Sequence, residues 1–402
     1  MDPALRAAIA AHPIVILTGA RQVGKSTLLL KSEPFAGWRY HTLDDFNVAR
    51  QVREDPVALW AGARNVVLDE VQKAPTLLSA VKQAVDRAPD RMRFVLSGSA
   101  NLLLMRQVSE SLAGRAVYHV LAPMTRGEIN LASPPTLLAD ALAGKLPEET
   151  TLAEALPDPA LLLLRGLMPG LLIFDDPSAW LRWWEGYVAT YLERDLRQIS
   201  KIDALVDFRR VMELLALRTG QIMNQSDIAR DAQLSQATVH RYLNLLETTY
   251  LFQRLPAYSR GRTSRLVKSP KAYWVDAGLA AYLCGYFDAD SLRTAREFGA
   301  LFEAFVFHHL LVLARLLVPS ARLYYWRTRA GAEVDFIVEH GRRVVGIEVK
   351  LTSRPTYGDL EGLRAFLQEY PHASAGLLLH AGREIRRMGE RIIALPWTAM
   401  TG

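Results

Sequence analysis

The eight residues Gly19-Ala20-Arg21-Gln22-Val23-Gly24-Lys25-Ser26 stand between an apolar run at 14–17 and a helical run at 27–30. This order of strand, loop and helix restricts the fold more than any other feature of the chain. Backbone N–H groups of such a loop, with the start of the helix, must converge on phosphate oxygens. Further apolar runs at 66–68, 94–96 and 117–121 supply buried strands. They alternate with helical segments up to about residue 130, the pattern of a mostly parallel sheet. Each run ends near polar or small residues, where ligands bind in such sheets.

The loop therefore predicts an ATP site formed by Gly19 to Ser26 and Thr27, with Lys25 on the β and γ phosphates and Ser26 as a ligand of Mg²⁺. A second run, Val66-Val67-Leu68-Asp69-Glu70, ends in two carboxylates. Asp69 suits the metal, and Glu70 suits orientation of the attacking water. Alone, such a pair is usually a solvated loop; behind a phosphate loop in the same sheet, chemistry is the better reading. The next strand ends Ser97-Gly98-Ser99-Ala100-Asn101, where Ser99 is a candidate sensor of the γ-phosphate.

Loop, acidic strand and polar sensor in this order resemble the AAA-type ATPases. Arg115, in Ser111-Leu112-Ala113-Gly114-Arg115, occupies the place where that family carries an arginine finger. The resemblance implies that Arg115 completes a neighbouring subunit's site, so that the active form is a dimer or a ring, up to a hexamer. A surface arginine after a glycine turn is the competing reading.

A chain of 402 residues exceeds one ordinary core, so two or three domains are expected. Its formal charge of +6 and pI near 9.4 suit a polyanionic partner, although charge alone does not identify one. The single cysteine, Cys284, excludes an intrachain disulfide and a cysteine-built zinc site, and a reducing cytoplasmic setting fits best. The start, Met1-Asp2-Pro3, lacks the pattern of a signal peptide. Charged residues and proline interrupt the apolar stretches, so neither a transmembrane helix nor a membrane partner is expected. Neither an internal repeat nor a low-complexity tract is visible.

Residues 133–177, rich in Leu, Ala and Pro, read as helices with linker character. Trp180, Trp183, Trp184, Tyr187 and Tyr191 then recur at helical spacing, as for a helix with an aromatic core face. Between residues 223 and 250, a short helix through Ile228 and Ala229, a turn at Leu234-Ser235 and a second helix give a helix-turn-helix layout. Gln236, Thr238, His240 and Arg241 on the second helix are candidates for DNA contact. The basic stretch 258–271 joins two strand-like runs and reads as a wing, with Arg260, Arg262 and Arg265 on backbone phosphates. A solvated hairpin is the alternative.

After residue 298 a long apolar helix leads into strands near 323–326, 334–338 and 344–349. Alternate strand residues share a face, so Glu348 and Lys350 point the same way. With Asp335 on an adjoining strand, two carboxylates could hold Mg²⁺ while Lys350 positions water. Helix, Asp strand and Glu-x-Lys strand in this order resemble the PD-(D/E)XK nuclease core. Glu303 matches that family's frequent extra acidic residue, whereas Val334 stands where its proline is expected. An amphipathic strand pair with a charged face is the plain alternative, and a fold does not carry its chemistry with it.

The complete order resembles a family of bacterial and archaeal AAA-type ATPases with a C-terminal domain of unknown function. The resemblance rests also on Thr190-Tyr191-Leu192-Glu193-Arg194-Asp195, Gly278-Leu279-Ala280-Ala281-Tyr282-Leu283 and Tyr324-Tyr325-Trp326-Arg327. It implies an α/β chain of a P-loop ATPase domain over 1–130, a helical lid or linker over 131–200, a winged helix over 201–290 and a restriction-endonuclease-like α/β domain over 291–402. The leading expectation is an ATP-hydrolysing protein that remodels or translocates on DNA, duplex or branched, such as a Holliday junction. A nucleotide-switched DNA-binding regulator and a metal-dependent nuclease regulated by ATP remain alternatives.

Overall fold

Short runs of Val, Ile and Leu build the first sheet, because strands buried on both faces need apolar side chains at every position. The computed structural model describes residues 3–88, 92–98, 112–190, 204–261, 263, 265 and 268–401. Within them, β1 (Ile14–Thr18), β2 (Arg39–Thr42), β3 (Asn65–Asp69), β4 (Arg93–Ser97) and β5 (Ala116–Val120) pair in parallel, in the order β2-β3-β4-β1-β5. Alternation splits the side chains of β1 between two cores. Ile14 and Ile16 join Val66, Leu68, Phe94 and Leu96, with Val52 of α3 (Phe46–Glu54) and Leu77, Leu78, Val81 and Val85 of α4 (Leu77–Arg87). Val15 and Leu17 join Val67 and Val95 beneath Leu5 and Ile9 of α1 (Pro3–Ala11) and Leu29 of α2 (Lys25–Lys31). With β4 between β1 and β3, the loop after β1 and the carboxylates after β3 flank the end of β4.

The chain divides into two compact units, one built mainly from residues 1–123 and a larger one from most of the remainder. In the larger unit, α5 (Pro159–Arg165) and α6 (Pro177–Tyr187) begin on proline, each capped by the preceding aspartate, Asp158 or Asp176. Trp180, Trp184 and Tyr187 of α6 are buried, as its aromatic spacing predicts. Further on, α7 (Leu205–Ala216), α8 (Gln225–Ala232) and α9 (Gln236–Thr248) precede an antiparallel hairpin of β7 (Phe252–Leu255) and β8 (Lys271–Trp274). Between α8 and α9, Gln233 takes a left-handed conformation (φ 57°) and Ser235 Oγ accepts the Thr238 N–H, which turns the chain and starts α9.

The same unit continues through α10 (Ala277–Leu283), α11 (Phe298–Leu316) and the strands β9 (Arg322–Arg327), β10 (Glu333–His340) and β11 (Arg343–Lys350), which form an antiparallel meander. Next, α12 (Glu361–Glu369) crosses to β12 (Ala375–His380), parallel to β11. β14 (Ile392–Pro396) extends the parallel part, and β13 (Glu384–Arg387) and the two-residue β6 (Thr150–Thr151) complete seven strands in the order β6-β13-β14-β12-β11-β10-β9. Leu363, Phe366 and Leu367 of α12 cover one face of this sheet. A Cβ on Gly362 would overlap the Glu333 carbonyl oxygen, so only glycine lets α12 lie this close to β10.

Among the described residues one helix, α11, is long and apolar enough to cross a membrane; 67% of its most apolar window is buried within the protein. Its even burial, from Leu301 through Phe307 to Ala314, explains an apolarity that sequence reading had discounted because of Glu303, His308, His309 and Arg315. A helix enclosed by protein on most sides needs no polar face.

Candidate functional site

The loop after β1 closes around its own lysine. Lys25 Nζ donates to the carbonyls of Gly19 (3.1 Å) and Ala20 (2.7 Å), and the side chain is buried. Burial pushes the ammonium down to about 8, against an upward pull from Glu70 and Asp69. Backbone turns shape the loop: Gln22 and Gly24 have φ of 63° and 92°. At Gly19, with φ 147°, a Cβ would overlap the Leu121 carbonyl oxygen, so the loop can enter from β1 only through glycine. Ser26 lies in the first turn of α2, next to Lys25.

Asp69 ends β3 fully buried, with both oxygens held: Oδ2 accepts from the Tyr40 hydroxyl (2.7 Å) and Oδ1 from the Glu70 N–H (3.0 Å). Glu70 has left-handed backbone (φ 57°), a conformation costly for a side chain this size and one that concentrates at functional sites. It accepts from the Gln72 amide, and burial raises its pKa above the ordinary carboxylate range. Between β1 and β3, Ser97 at the end of β4 is buried and its Oγ has no hydrogen-bond partner, a polar atom left open beside the two motifs. The predicted sensor Ser99 lies outside the described residues.

These residues fit ATP and Mg²⁺: an ammonium with only carbonyls to bond, a serine beside it, a buried aspartate and an adjacent glutamate. Bound Mg²⁺ would neutralise phosphate charge, held by Ser26 and Asp69. Lys25 would exchange loop carbonyls for phosphate oxygens, and Glu70 would orient water. Tyr40 escaped sequence reading because β2 and β3 pair across 29 residues of sequence, which motif spacing does not reveal.

Arg115 sits just before β5, whose Ala116 pairs with Ile14 at the start of β1, whereas Val120 pairs with Thr18 where the loop opens. Four residues separate those levels, roughly 13 Å at about 3.3 Å each. Its guanidinium makes a two-pronged contact with Asp86 of α4 (2.5 and 3.1 Å). Arg115 thus belongs to the opposite end of the sheet from its own chain's phosphate loop.

On α9, Gln236, His240 and Arg241 are exposed and Thr238 is half-buried. Gln236 bonds Ser226, His240 lies 2.9 Å from the Asn244 amide, and Arg241 stacks on Tyr242. The basic stretch expected to be a free wing is corrected in part. Arg265 is ion-paired with Glu339 of β10 (2.9 and 3.1 Å) and lies over the rings of Tyr258 and Tyr324, so its charge is neutralised within the fold. Arg260 is exposed but stacks on Tyr370 and donates to the Glu369 carbonyl. Two aromatic faces and a carboxylate hold an arginine better than solvent does. Arg262 lies outside the described residues, as do residues 191–195 of the Thr190-to-Asp195 motif.

The C-terminal constellation is brought together, with three residues that sequence reading missed. Asp335 and Glu348, on paired strands, are both buried, and Lys350 Nζ is 2.7 Å from Glu348 Oε1. Asp335 Oδ2 accepts the Val349 N–H (2.9 Å). Glu303 faces them from α11, accepting from the Tyr273 hydroxyl at 2.5 Å. Lys271 of β8 enters the same cluster, with Nζ 2.5 Å from Glu333, 3.2 Å from Glu303 and 3.4 Å from Asp335. Burial first, then the Asp335 charge, pushes Glu303 up to about 7 and Glu348 up to about 8, against the pull of the lysines. A divalent metal would have to compete with Lys271 in this cluster, because the ammonium already lies between Glu303, Glu333 and Asp335. The signal was present in Lys271-Ala272-Tyr273-Trp274, a lysine opening an otherwise apolar strand, which needs a buried partner.

Residues 11–130 match the family model described as an AAA domain, and residues 158–290 and 298–400 match two models described as domains of unknown function (DUF8612 and DUF4143). The chain is 32% identical over 397 residues to the uncharacterized protein Rv2008c of Mycobacterium tuberculosis and to Mb2031c of Mycobacterium bovis, covering 98% of this chain and 82% of each relative. Among solved structures, the Walker-type ATPase PABY2304 of Pyrococcus abyssi is similar at a TM-score of 0.43 with 17% identity, over 69% of this chain and 93% of that one. At that TM-score the likeness bears no weight on function. The N-terminal match and the loop geometry agree: residues 11–130 form an AAA-type ATPase domain.

Proposed function

Since the chain belongs to the family of the mycobacterial proteins Rv2008c and Mb2031c and itself carries an AAA domain followed by two domains of unknown function, we propose that it couples ATP hydrolysis to remodelling of bound DNA, duplex or branched. The observation that carries the ATPase half is the pairing of the Lys25 loop with Asp69 and Glu70 at one end of one parallel sheet. Mg²⁺ is the natural partner of Ser26 and Asp69.

The DNA half is supported by α8, the turn at Gln233 and α9, followed by a hairpin, which is the layout of a winged helix. Exposed Gln236, His240 and Arg241, with Thr238 beside them, offer donors and charge to a groove. Among the described candidates, Arg241 and Arg260 are exposed, while Arg265 is withdrawn from this role by Glu339. For the C-terminal sheet, α11, the β9-β10-β11 meander, α12 and parallel β12 carry Glu303, Asp335, Glu348 and Lys350 in the order of a nuclease-like fold. We assign it a holding role on the same DNA. The positions of Arg115 and the loop support a homo-oligomer, up to a hexameric ring, and the single half-buried Cys284 suits the cytoplasm.

Phosphate release measured with linear, branched and single-stranded DNA tests this reading. DNA is expected to stimulate turnover, and K25A to lower it at least about a hundredfold, the scale for removing one charge-stabilising group. Turnover in wild type with no stimulation across the panel would leave an ATPase and end the DNA reading.

A further inference from the structure

We propose that the Lys271 ammonium is the resident cation of the C-terminal acidic cluster, taking the place of a divalent metal, so that this sheet neither binds a metal there nor cleaves phosphodiesters. The inference rests on reading the sheet as nuclease-like.

Three carboxylates from two elements converge on one nitrogen: Glu303 from α11 and Glu333 and Asp335 from β10. The lysine side chain is only 3% exposed, and it is not a wandering tail. Its backbone is fixed in β8 opposite Leu255 and bridges Ile222, while Tyr273, two residues on, anchors the same Glu303. A metal shared by Asp335 and Glu348 needs a free oxygen from each. Glu348 has one, the buried and unpartnered Oε2. Asp335 offers Oδ1, but that oxygen faces the Lys271 ammonium at 3.4 Å while Oδ2 accepts the Val349 N–H, so a metal here would have to displace the lysine.

Charge counting agrees. Glu303, Glu333, Asp335 and Glu348 face Lys271, Lys350 and Arg327, the last 3.4 Å from Glu333. Four carboxylates against three cations leave a single negative charge in excess. A buried cluster already near neutrality has little left to offset the dehydration of a dication.

Bound Mn²⁺ per chain, counted by electron paramagnetic resonance in a D69N background that silences the phosphate-loop site, is the test. D69N and D69N/E348Q are expected to bind equally, D69N/K271M to gain one Mn²⁺, and D69N/K271R, which keeps the charge, to gain none. Wild type is expected to cut no DNA with Mn²⁺. Loss of one Mn²⁺ on adding E348Q would overturn the proposal while leaving the nuclease-like reading intact. A folded K271M chain that gains nothing would remove both and leave Lys271 as a plain ion-pair strut. Should K271M fail to fold, the E348Q comparison decides alone.

Discussion

Lys25 shows how a single residue's environment exposes its task. An ammonium wrapped in its own loop, held only by carbonyl oxygens, is depressed to about 8 by burial. The folded value lies below the unfolded one, so between about 8 and 10.5 the unfolded chain holds a proton that the folded one lacks, and stability of the nucleotide-free protein rises with pH across that window. Phosphates reverse the balance by favouring the charged form. Nucleotide binding near pH 9, roughly mid-window, should therefore take up a proton, and affinity should fall as pH rises further. Titration calorimetry in two buffers of different ionisation heat reads that uptake directly. K25R, which cannot deprotonate, should show none; equal heats in both buffers for wild type would mean that Lys25 does not meet the phosphates.

At the level of elements, β1, α2 and β3 were legible because their signals are local: apolar runs, a glycine at each turn, acids at a strand end. Tyr40 on Asp69 and Lys271 in the acidic cluster were not, since strand pairing and helix packing create those contacts across long separations. The segment 258–265 shows the same limit from the other side. Its arginines looked like a wing, but Tyr258, Tyr324 and Glu339 form a slot for Arg265 that only the folded sheet assembles. Two substitutions on neighbouring elements should then separate. R241A on exposed α9 should weaken DNA binding and reduce its salt slope by about 1. R265A should leave DNA affinity unchanged and lower Tm by several degrees, since it leaves Glu339 half-buried without its partner. Anisotropy across a salt series and thermal melts distinguish them; a salt slope that changes with R265A and not R241A would reverse the assignment.

At the scale of the whole molecule, the order β2-β3-β4-β1-β5 sets what one chain can do alone. Strands in parallel place every C-terminal end on the phosphate side and every N-terminal end on the other. Arg115 precedes β5 on that other side, roughly 13 Å along the strands from the loop and tied to Asp86. It cannot reach its own chain's γ-phosphate without dismantling the sheet, so an arginine-finger role requires a second copy whose loop faces this end. R115A should then keep wild-type nucleotide affinity while turnover falls by about 10³-fold or more, the range of fingers acting between chains. K25A has the complementary defect, a dead loop with an intact arginine. Mixing the two inactive proteins should restore turnover, because R115A loops then meet K25A arginines across mixed contacts. Restored turnover that rises with total protein concentration would establish a shared site; two variants that stay inactive when mixed, or an R115A chain that turns over normally, would leave Arg115 as the partner of Asp86 and nothing more.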